Sequence, residues 1–301
     1  KIIEVQYGER RRIEKIEIEI SEEEVYEKND SFRLKEIEEL SAEQVMSKLS
    51  TGGLVPFIRQ RPFNKIADPT NPPRDIFISG WNTAPLSVNL DLALRGRRSQ
   101  FQAGVSILNK ITKGNVHLSY YEDSVSETLI GLDNVVSHTV RGPHPAGNVG
   151  IHIHHIAPLS SNDHVWVINA QDVARIGNFF LTGELDVSLI ITLGGPSVLN
   201  PTHMKSRLGA PVSLCLEDNI KDGDQRIVSG DVLTGDKIDL DDFLGFYDSS
   251  IAVLPEGGER EFIGMLRPGT AMSRYSLTNA FLGTLKGGYD FNTLKNGSER
   301  Y

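Results

Sequence analysis

The sequence predicts an α/β fold, and three observations along the chain point to it. Strand patterns alternate twice with helical spacing between residues 76 and 193, as in βαβ units, which join parallel strands by a right-handed crossover. The length of 301 residues is enough for more than one domain. Beyond residue 201 helical spacing fades and turn dipeptides multiply, which indicates a separate β-rich module. We therefore expect an α/β domain over residues 29–200 and a β-rich module over residues 201–260.

The first 28 residues have the pattern of a strand. Ile16, Ile18 and Ile20 alternate with charged residues, as in a strand with one buried face, and residues 8–12 form a basic turn before it. We expect residues 1–28 to be the end of an all-β domain, and the chain to be a fragment of a longer protein. Residues 261–301 mix turn signals with a short apolar run and are expected to be a connector to a further domain.

The α/β domain is predicted element by element. Ser41 and Gln44 have the spacing of a capping box, which predicts a helix up to Leu49. Further along, strands and helices are predicted at residues 76–78 (strand), 101–111 (helix, with Gly114 as its C′ residue), 116–120 (strand), 165–168 (strand), 171–181 (helix) and 189–193 (strand). We expect all these strands to lie in one sheet, which makes residues 29–200 a Rossmann-like α/β domain.

Composition excludes several classes of function. The apolar fraction of 39% and the charged fraction of 24% are typical of a globular protein rather than a disordered one. A net charge of −9 disfavours binding to nucleic acid. Apolar runs are too short to span a bilayer, and the single cysteine, Cys215, cannot form an internal disulfide.

Three loops of the α/β domain are candidates for a ligand site, because ligands of open α/β sheets bind at the carboxyl ends of the strands. One of them, "TLGGPS" after the strand at residues 189–193, is a tight turn with no lysine or Ser/Thr at Walker spacing. In "TGGLVPFIRQRPF", Gly52 and Gly53 would let backbone approach a phosphate, and Arg59 and Arg61 would pair with it. In "SGWNTAPL", Trp81 would stack on a planar ring. Solvated arginines in a flexible loop, and simple aromatic packing, remain open alternatives.

The stretch "GPHPAGNVGIHIHH", residues 142–155, holds four of the eight histidines. Its alternation predicts a strand over residues 151–155, with His152 and His154 facing one way. Pro145 and Gly147 predict a tightly turned backbone that places His144 at the strand-end crevice. We expect this cluster to be structural or close to a ligand, and to bind no metal, since cysteine ligands are absent from the segment.

Two other classes of function remain open. A metal-dependent hydrolase would use His152 and His154, with His144 or Asp163 as the third ligand. A stand-alone module for a small ligand would use the β-rich module.

Several motifs, taken in order, resemble the NqrA family, a component of the Na+-translocating NADH:quinone oxidoreductase, and the resemblance runs along the whole chain. They are "RPF", "GPHPAGNVGIHIHH", "GELDVSLIITLGGP", "RLGAPVSLCLED", "RIVSGDVLTG", "EFIGMLRPG" and "NGSERY".

The resemblance implies a function that the residue patterns alone do not reach. It implies a peripheral subunit on the cytoplasmic side of the bacterial inner membrane, held there by the other subunits of a complex that oxidises NADH, reduces ubiquinone and exports Na+. It implies that this chain holds no cofactor, whereas NAD, FMN or FAD, iron–sulfur and ubiquinone belong to the whole complex. The isolated chain is then expected to be inactive. The candidates for residues close to a ligand or to quinone are His144, Pro145, Gly147, His152, His154, Gly52, Gly53, Arg61 and Trp81.

The resemblance also implies an architecture. The β-rich module would be a β-grasp unit of the soluble-ligand-binding type. Residues 1–28 would be the remnant of a barrel-sandwich domain, and residues 261–301 would lead to a helical domain. Flavin-binding relatives carry a denser glycine-rich loop around the FMN phosphate. In this chain Leu54 and Val55 replace such small residues, which argues against a flavin.

Overall fold

The computed structural model describes residues 1–11, 13–21, 25–257, 291 and 293. Its strands are β1 (Ile2–Tyr7), β2 (Ile13–Ile18), β3 (Arg59–Arg61), β4 (Lys65–Ile66), β5 (Ile76–Ser79), β6 (Val116–Tyr121), β7 (Val136–Val140), β8 (Val165–Asn169), β9 (Ser188–Gly194), β10 (Thr202–Arg207), β11 (Gln225–Ser229), β12 (Asp236–Ile238) and β13 (Ser250–Pro255). Its α-helices are α1 (Leu34–Glu39), α2 (Ala42–Thr51), α3 (Leu90–Ala93), α4 (Arg98–Lys110), α5 (Val149–Ile156), α6 (Ala170–Thr182) and α7 (Val212–Leu216).

A six-stranded sheet forms the centre of the α/β domain. Its strand order is β4-β3-β8-β5-β6-β7. The strands β8, β5, β6 and β7 run parallel, whereas β3 pairs antiparallel with both β4 and β8. Because Ile76 and Ile78 face the main core and Phe77 faces the opposite side, the sheet is buried on both faces, as parallel sheets are.

The main core lies between this sheet and the helix pair α4 and α6. The two helices cross so closely that a Cβ added to Gly177 would lie 1.7 Å from the carbonyl oxygen of Gln100. A Cβ on Gly104 would lie 2.2 Å from the carbonyl oxygen of Val173. Backbone contact at both positions requires glycine. The opposite face of the sheet is covered by α5, where Ile153 packs with Phe77, Val165 and Val167.

The predicted helices of this domain are confirmed with small shifts at their ends. Ser41 Oγ accepts from the Gln44 backbone N–H at 3.2 Å, and Gln44 Oε1 accepts from the Ser41 N–H at 2.9 Å, so both bonds of the capping box form. The C′ position proposed for Gly114 is wrong. Helix α4 already ends at Lys110 with Ile111 as its C-cap, because β6 must begin at Val116 to pair with Ile76.

A second sheet of five strands, in the order β10-β9-β13-β11-β12, forms the β-rich module. The prediction that residues 189–193 continue the first sheet is wrong. Strand β9 pairs antiparallel with β10 and parallel with β13. An apolar strand carries no local signal of which sheet it joins, and here the hairpin to β10 places it in the second one. The module has its own core, which includes Ile191, Leu216 and Val253.

The N-terminal strand pattern corresponds to a two-stranded antiparallel sheet of β1 and β2. The prediction that its isoleucines form a buried face is wrong, since Ile16 is 48% and Ile18 is 60% exposed. The alternation marks one apolar side of the hairpin, but that side packs against no core among the described residues. The connector predicted at residues 261–301 lies outside the described residues, apart from Phe291 and Thr293.

No helix among the described residues is both long and apolar enough to cross a membrane.

Candidate ligand site at the carboxyl edge of the first sheet

The carboxyl ends of the parallel strands lie at one edge of the six-stranded sheet. At this edge β5 ends with Ser79, β8 with Asn169 and β6 with Tyr121. Two recesses open there. Ser79 and Asn169 line the first, which we call the arginine pocket, and Gly80 and Tyr121 line the second, which we call the tryptophan recess. Open α/β sheets bind ligands at this position.

The arginine pocket is a cavity of about 270 Å³. Arg59 and Arg61 both line it, because residues two apart on β3 project to the same side of the sheet. Tyr247 reaches it from the β-rich module, and its hydroxyl donates to the carbonyl oxygen of Pro56 at 3.0 Å. The remaining lining residues are Phe57, Asn64, Ser79, Val149, Val167, Ile168, Asn169 and Asp172. The pocket therefore lies between the two modules.

Neither arginine of the pocket makes an ion pair with a carboxylate among the described residues. Arg59 lies over the Tyr247 ring, 4.3 Å from its centroid, and donates to the carbonyl oxygen of Asn64. The Nε atoms of Arg59 and Arg61 are buried, and neither has a hydrogen-bond partner in the described part of the chain. Burial lowers the pKa of the Arg61 guanidinium, and the positive charge of Arg59 lowers it further. The pocket thus holds two cations whose charge is poorly compensated.

Among the described residues that line the arginine pocket, the one carboxylate, Asp172, is already paired. Asp172 makes an ion pair with Arg175, which is 1% exposed. Arg175 also donates to the carbonyl oxygens of Asp186 at 2.8 Å and Ser188 at 3.0 Å. Burial lowers the pKa of Arg175 to about 10, so it stays charged near neutral pH. Asp172 therefore leaves the charge of Arg59 and Arg61 uncompensated.

The tryptophan recess is a smaller cavity, of about 230 Å³. Trp81 stacks on Tyr121 with ring centroids 4.9 Å apart. Asp91 lines the recess, and its two carboxylate oxygens lie 2.8 and 2.9 Å from Ser124 Oγ, whose single hydroxyl proton they share. Because Tyr121 covers one face of the Trp81 indole, a ligand ring could stack only on the other face.

The structure brings His144 to the same edge. Thr83, in the loop after β5, links the two segments: its Oγ1 lies 3.2 Å from His144 Nδ1 and accepts from the Gly147 N–H at 2.9 Å. A Cβ on Gly147 would lie 2.6 Å from the Thr83 nitrogen, so this approach requires glycine. The His144–Pro145 peptide bond is cis. The structure thus places His144 and Gly147 beside Thr83, in the loop that follows β5, and the role of His144, Pro145 and Gly147 close to a ligand stays a prediction.

The strand predicted at residues 151–155 is wrong, because this segment lies in helix α5. Val149, Ile153 and Ile156 recur at helical spacing and pack on the small core beside Phe77. The alternation of isoleucine and histidine is compatible with a strand as well, but the packing of the apolar residues at helical spacing favours the helix. His152 is 3% exposed, whereas His154 is exposed. The two imidazoles therefore do not share a face, and the hydrolase hypothesis loses its pair of ligands.

Neither Gly52 nor Gly53 lines the arginine pocket that holds Arg59 and Arg61. Gly52 caps the C-terminus of α2, and a Cβ there would lie 2.5 Å from the Phe179 ring. It lines a different recess, together with Asn29 and Leu185. The small size of Gly52 is thus explained by packing, and no phosphate cradle joins these glycines to Arg61.

A pair of histidines, His117 buried and His138 half-buried, escaped the sequence analysis. His117 on β6 and His138 on β7 are neighbours in the sheet, with Nδ1 of His117 3.0 Å from Nε2 of His138. His117 Nε2 lies 3.8 Å from Asp75 Oδ1, and burial together with the nearby His138 lowers the pKa of His152. No local pattern marks such a pair, since strand register alone brings the two rings together. Among the described residues, no group of three or more His, Cys, Asp or Glu is arranged to hold a metal.

Two buried histidines, His117 and His152, and the half-buried His138 predict a loss of stability in mild acid. Burial is the largest cause of the lowered pKa of His117, His138 and His152; for His117, Asp75 partly opposes it. Below their ordinary pKa of 6.5, the unfolded chain takes up protons that the folded chain does not, so the free energy of unfolding falls as pH decreases. We expect the urea midpoint to fall between about pH 7.5 and 5.5, and to fall less in His138→Gln.

His154→Gln is the matched control for this prediction, because His154 is exposed on the same helix as His152. The prediction would be contradicted if the urea midpoint fell equally on acidification in His138→Gln, in His154→Gln and in the parent chain.

Comparison with known proteins identifies relatives along most of the chain. Residues 40–185 match the family model described as "NqrA second alpha/beta domain", and residues 190–239 match "NQRA C-terminal domain". A relative from Pasteurella multocida, named as the A-subunit of Na(+)-translocating NADH-quinone reductase, is 38% identical over 95% of this chain and 63% of its own length. A protein of the same name from Vibrio parahaemolyticus is 35% identical over 100% of this chain and 67% of its own length.

The structure of an NAD+-reducing [NiFe]-hydrogenase shares the fold, with a TM-score of 0.50, at 13% identity over 74% of this chain and 49% of that one.

Fold and site together define an α/β protein whose strand-end crevice is closed by an SLBB-type β module. The boundary between the two family matches, at residues 185–190, coincides with the passage from the first sheet to β9. The chain belongs to the NqrA family of Na+-translocating NADH-quinone reductase. It spans about three fifths of the length of the first relatives it matches, 63% and 59%.

Proposed function

We propose that this chain works as part of the NqrA component of a Na+-translocating NADH:quinone oxidoreductase, a complex that oxidises NADH, reduces ubiquinone and transports Na+. The observation that carries the proposal is identity of 35–38% over 88–100% of the chain to relatives that bear this name. The proposed partners are the other subunits of the complex and ubiquinone, with no nucleic acid.

The finer points of the architecture belong to the same proposal. Four adjacent parallel strands with helices on both faces support a Rossmann-like description of the first domain. The exposed isoleucines of the β1–β2 hairpin support a remnant of a barrel-sandwich domain, since such a face needs further strands to cover it. Residues 261–301 would connect to the helical domain.

This chain is proposed to hold no redox cofactor of its own. The residues at the expected flavin loop do not fit the group, because the Phe179 ring occupies the space beside Gly52 and Leu54 is fully buried. Cys215 is buried and is the single cysteine of the chain, which is too few for iron–sulfur ligation. NAD, flavin and iron–sulfur would then bind elsewhere in the complex, and ubiquinone would belong to the complex as a whole.

The proposed location is the cytoplasmic side of the bacterial inner membrane, where partner proteins would hold the chain. The net charge of −9 supports attachment by protein contacts rather than by anionic lipid. His144 and Trp81 are the proposed residues nearest to quinone, because Trp81 follows β5 and lines a recess at its carboxyl end, and Thr83, in the same loop, contacts His144.

The test compares the full-length protein with the isolated chain. We expect full-length protein to co-purify with the other subunits in membranes that show Na+-stimulated NADH:quinone reductase activity. We expect the isolated 301-residue chain to be colourless and unable to oxidise NADH. A flavin absorption band that survives extensive dialysis of the isolated chain, or full-length protein that never co-purifies with the other subunits, would contradict the proposal.

A further inference from the structure

We propose that the arginine pocket is a binding site for a small phosphate dianion, either inorganic phosphate or a phosphomonoester. The proposal goes beyond the function proposed above and does not depend on it.

The first step is the charge of the pocket. Arg59 and Arg61 contribute two guanidinium groups, and no described carboxylate makes an ion pair with either. Asp172, the carboxylate at the wall, is neutralised by Arg175. Two like charges in a partly desolvated cavity repel each other, and burial, followed by the positive charge of Arg59, lowers the pKa of the Arg61 guanidinium. A bound dianion would compensate both charges.

The second step is the hydrogen-bonding capacity of the pocket. Both buried Nε–H groups lack an acceptor among the described residues, and a buried donor without a partner lowers the free energy of unfolding. Asn169 contributes further capacity: its Oδ1 caps α6 by accepting from the Gln171 N–H at 3.0 Å, which leaves the amide group as a donor beside the cavity. Planar guanidinium groups that donate in pairs match the oxygen atoms of a phosphate.

The third step is size. The cavity of about 270 Å³ falls just below the range of about 300–1,000 Å³ found for drug-sized ligands. A phosphate or a small phosphomonoester fits this volume, whereas a dinucleotide does not. Phe57 and Tyr247 form two of the walls, and the Phe57 ring stacks on Phe246 with centroids 4.9 Å apart. The β-rich module therefore closes the pocket, and we expect a bound anion to strengthen the contact between the modules.

The experiment is a calorimetric titration of the isolated chain with inorganic phosphate, at ionic strength held constant with NaCl. We expect saturable binding that weakens roughly tenfold or more in Arg61→Gln and in Arg59→Gln, because each loses a charge-assisted hydrogen bond. Arg61→Lys keeps the positive charge but loses the paired N–H donors of the guanidinium, so we expect an affinity for phosphate between those of the parent and Arg61→Gln. Arg141→Gln, at an exposed arginine just after β7, is the matched control and should bind as the parent does.

A second measurement avoids variants that fail to fold. Phosphate should protect Arg59 and Arg61 of the parent chain from phenylglyoxal, as mapped by peptide mass spectrometry, and should leave Arg141 unprotected. Absence of saturable binding, equal affinity in Arg61→Gln and Arg141→Gln, tighter binding of succinate than of phosphate, or absence of selective protection would each overturn the proposal.

Discussion

Replacing Gly177 by alanine is expected to destabilise the protein strongly, by about 3 kcal/mol, although alanine is the better helix former by about 1 kcal/mol. The added methyl group would lie 1.7 Å from the Gln100 carbonyl oxygen and 2.7 Å from the Gly104 nitrogen. Both are backbone atoms, so no side-chain rotation relieves the overlap. Helices α4 and α6 must then separate, which opens the main core between Phe101 and Val173. Urea unfolding followed by circular dichroism measures the change.

Gly150→Ala is the matched control for Gly177→Ala. Gly150 also lies in a helix, α5, but an added Cβ meets nothing within 4 Å. Its substitution is expected to be neutral or to stabilise by up to about 1 kcal/mol, through helix propensity alone. Equal urea midpoints for the two variants would show that the contact between α4 and α6 does not limit the stability of the fold.

The fold was predictable where local chemistry determines it. Helix α2 follows from the capping box of Ser41 and Gln44, both of whose hydrogen bonds form within four residues of sequence. Strand β5 follows from an apolar run that is buried on both faces. In each case, the residues that specify the element are next to one another in the chain.

The errors occur where distant contacts determine the outcome. Strand β9 looks like a strand of the first sheet and joins the second, because its partners on β10 and β13 come later in the chain. Helix α5 satisfies two periods at once, and contact of Ile153 with Phe77 selects the helical one.

The candidate site follows the same division. The sequence marks Arg61 and Trp81 by residue type and His144 by its loop. It does not show that Tyr247, whose hydroxyl reaches Pro56 across 191 residues of sequence, forms a wall of the arginine pocket. It also gives no sign that Gly52 contacts Phe179. Residue type therefore predicts which side chains can bind a ligand, whereas the packing of the two modules decides which of them meet.

Arg175→Met is expected to cost about 3 kcal/mol of stability, even though methionine fills much of the volume of arginine. Arg175 joins three elements: its Nε and Nη2 atoms donate to Asp186 and Ser188, its Nη1 pairs with Asp172, and its guanidinium carbon lies 4.7 Å from the Phe57 ring centroid. Removing it leaves the Asp172 carboxylate and two carbonyl groups without their donor in a largely buried place. Because Ser188 begins β9, the contact also connects α6 to the second sheet.

Urea unfolding measures the change in the free energy of unfolding. The matched control is Arg141→Met, at an arginine side chain 72% exposed, which should shift stability by less than about 0.5 kcal/mol. Asp172→Asn in the Arg175→Met background removes the stranded charge and should recover part of the loss. If Arg175→Met proved as mild as Arg141→Met, the buried ion pair would not contribute to holding the two sheets together.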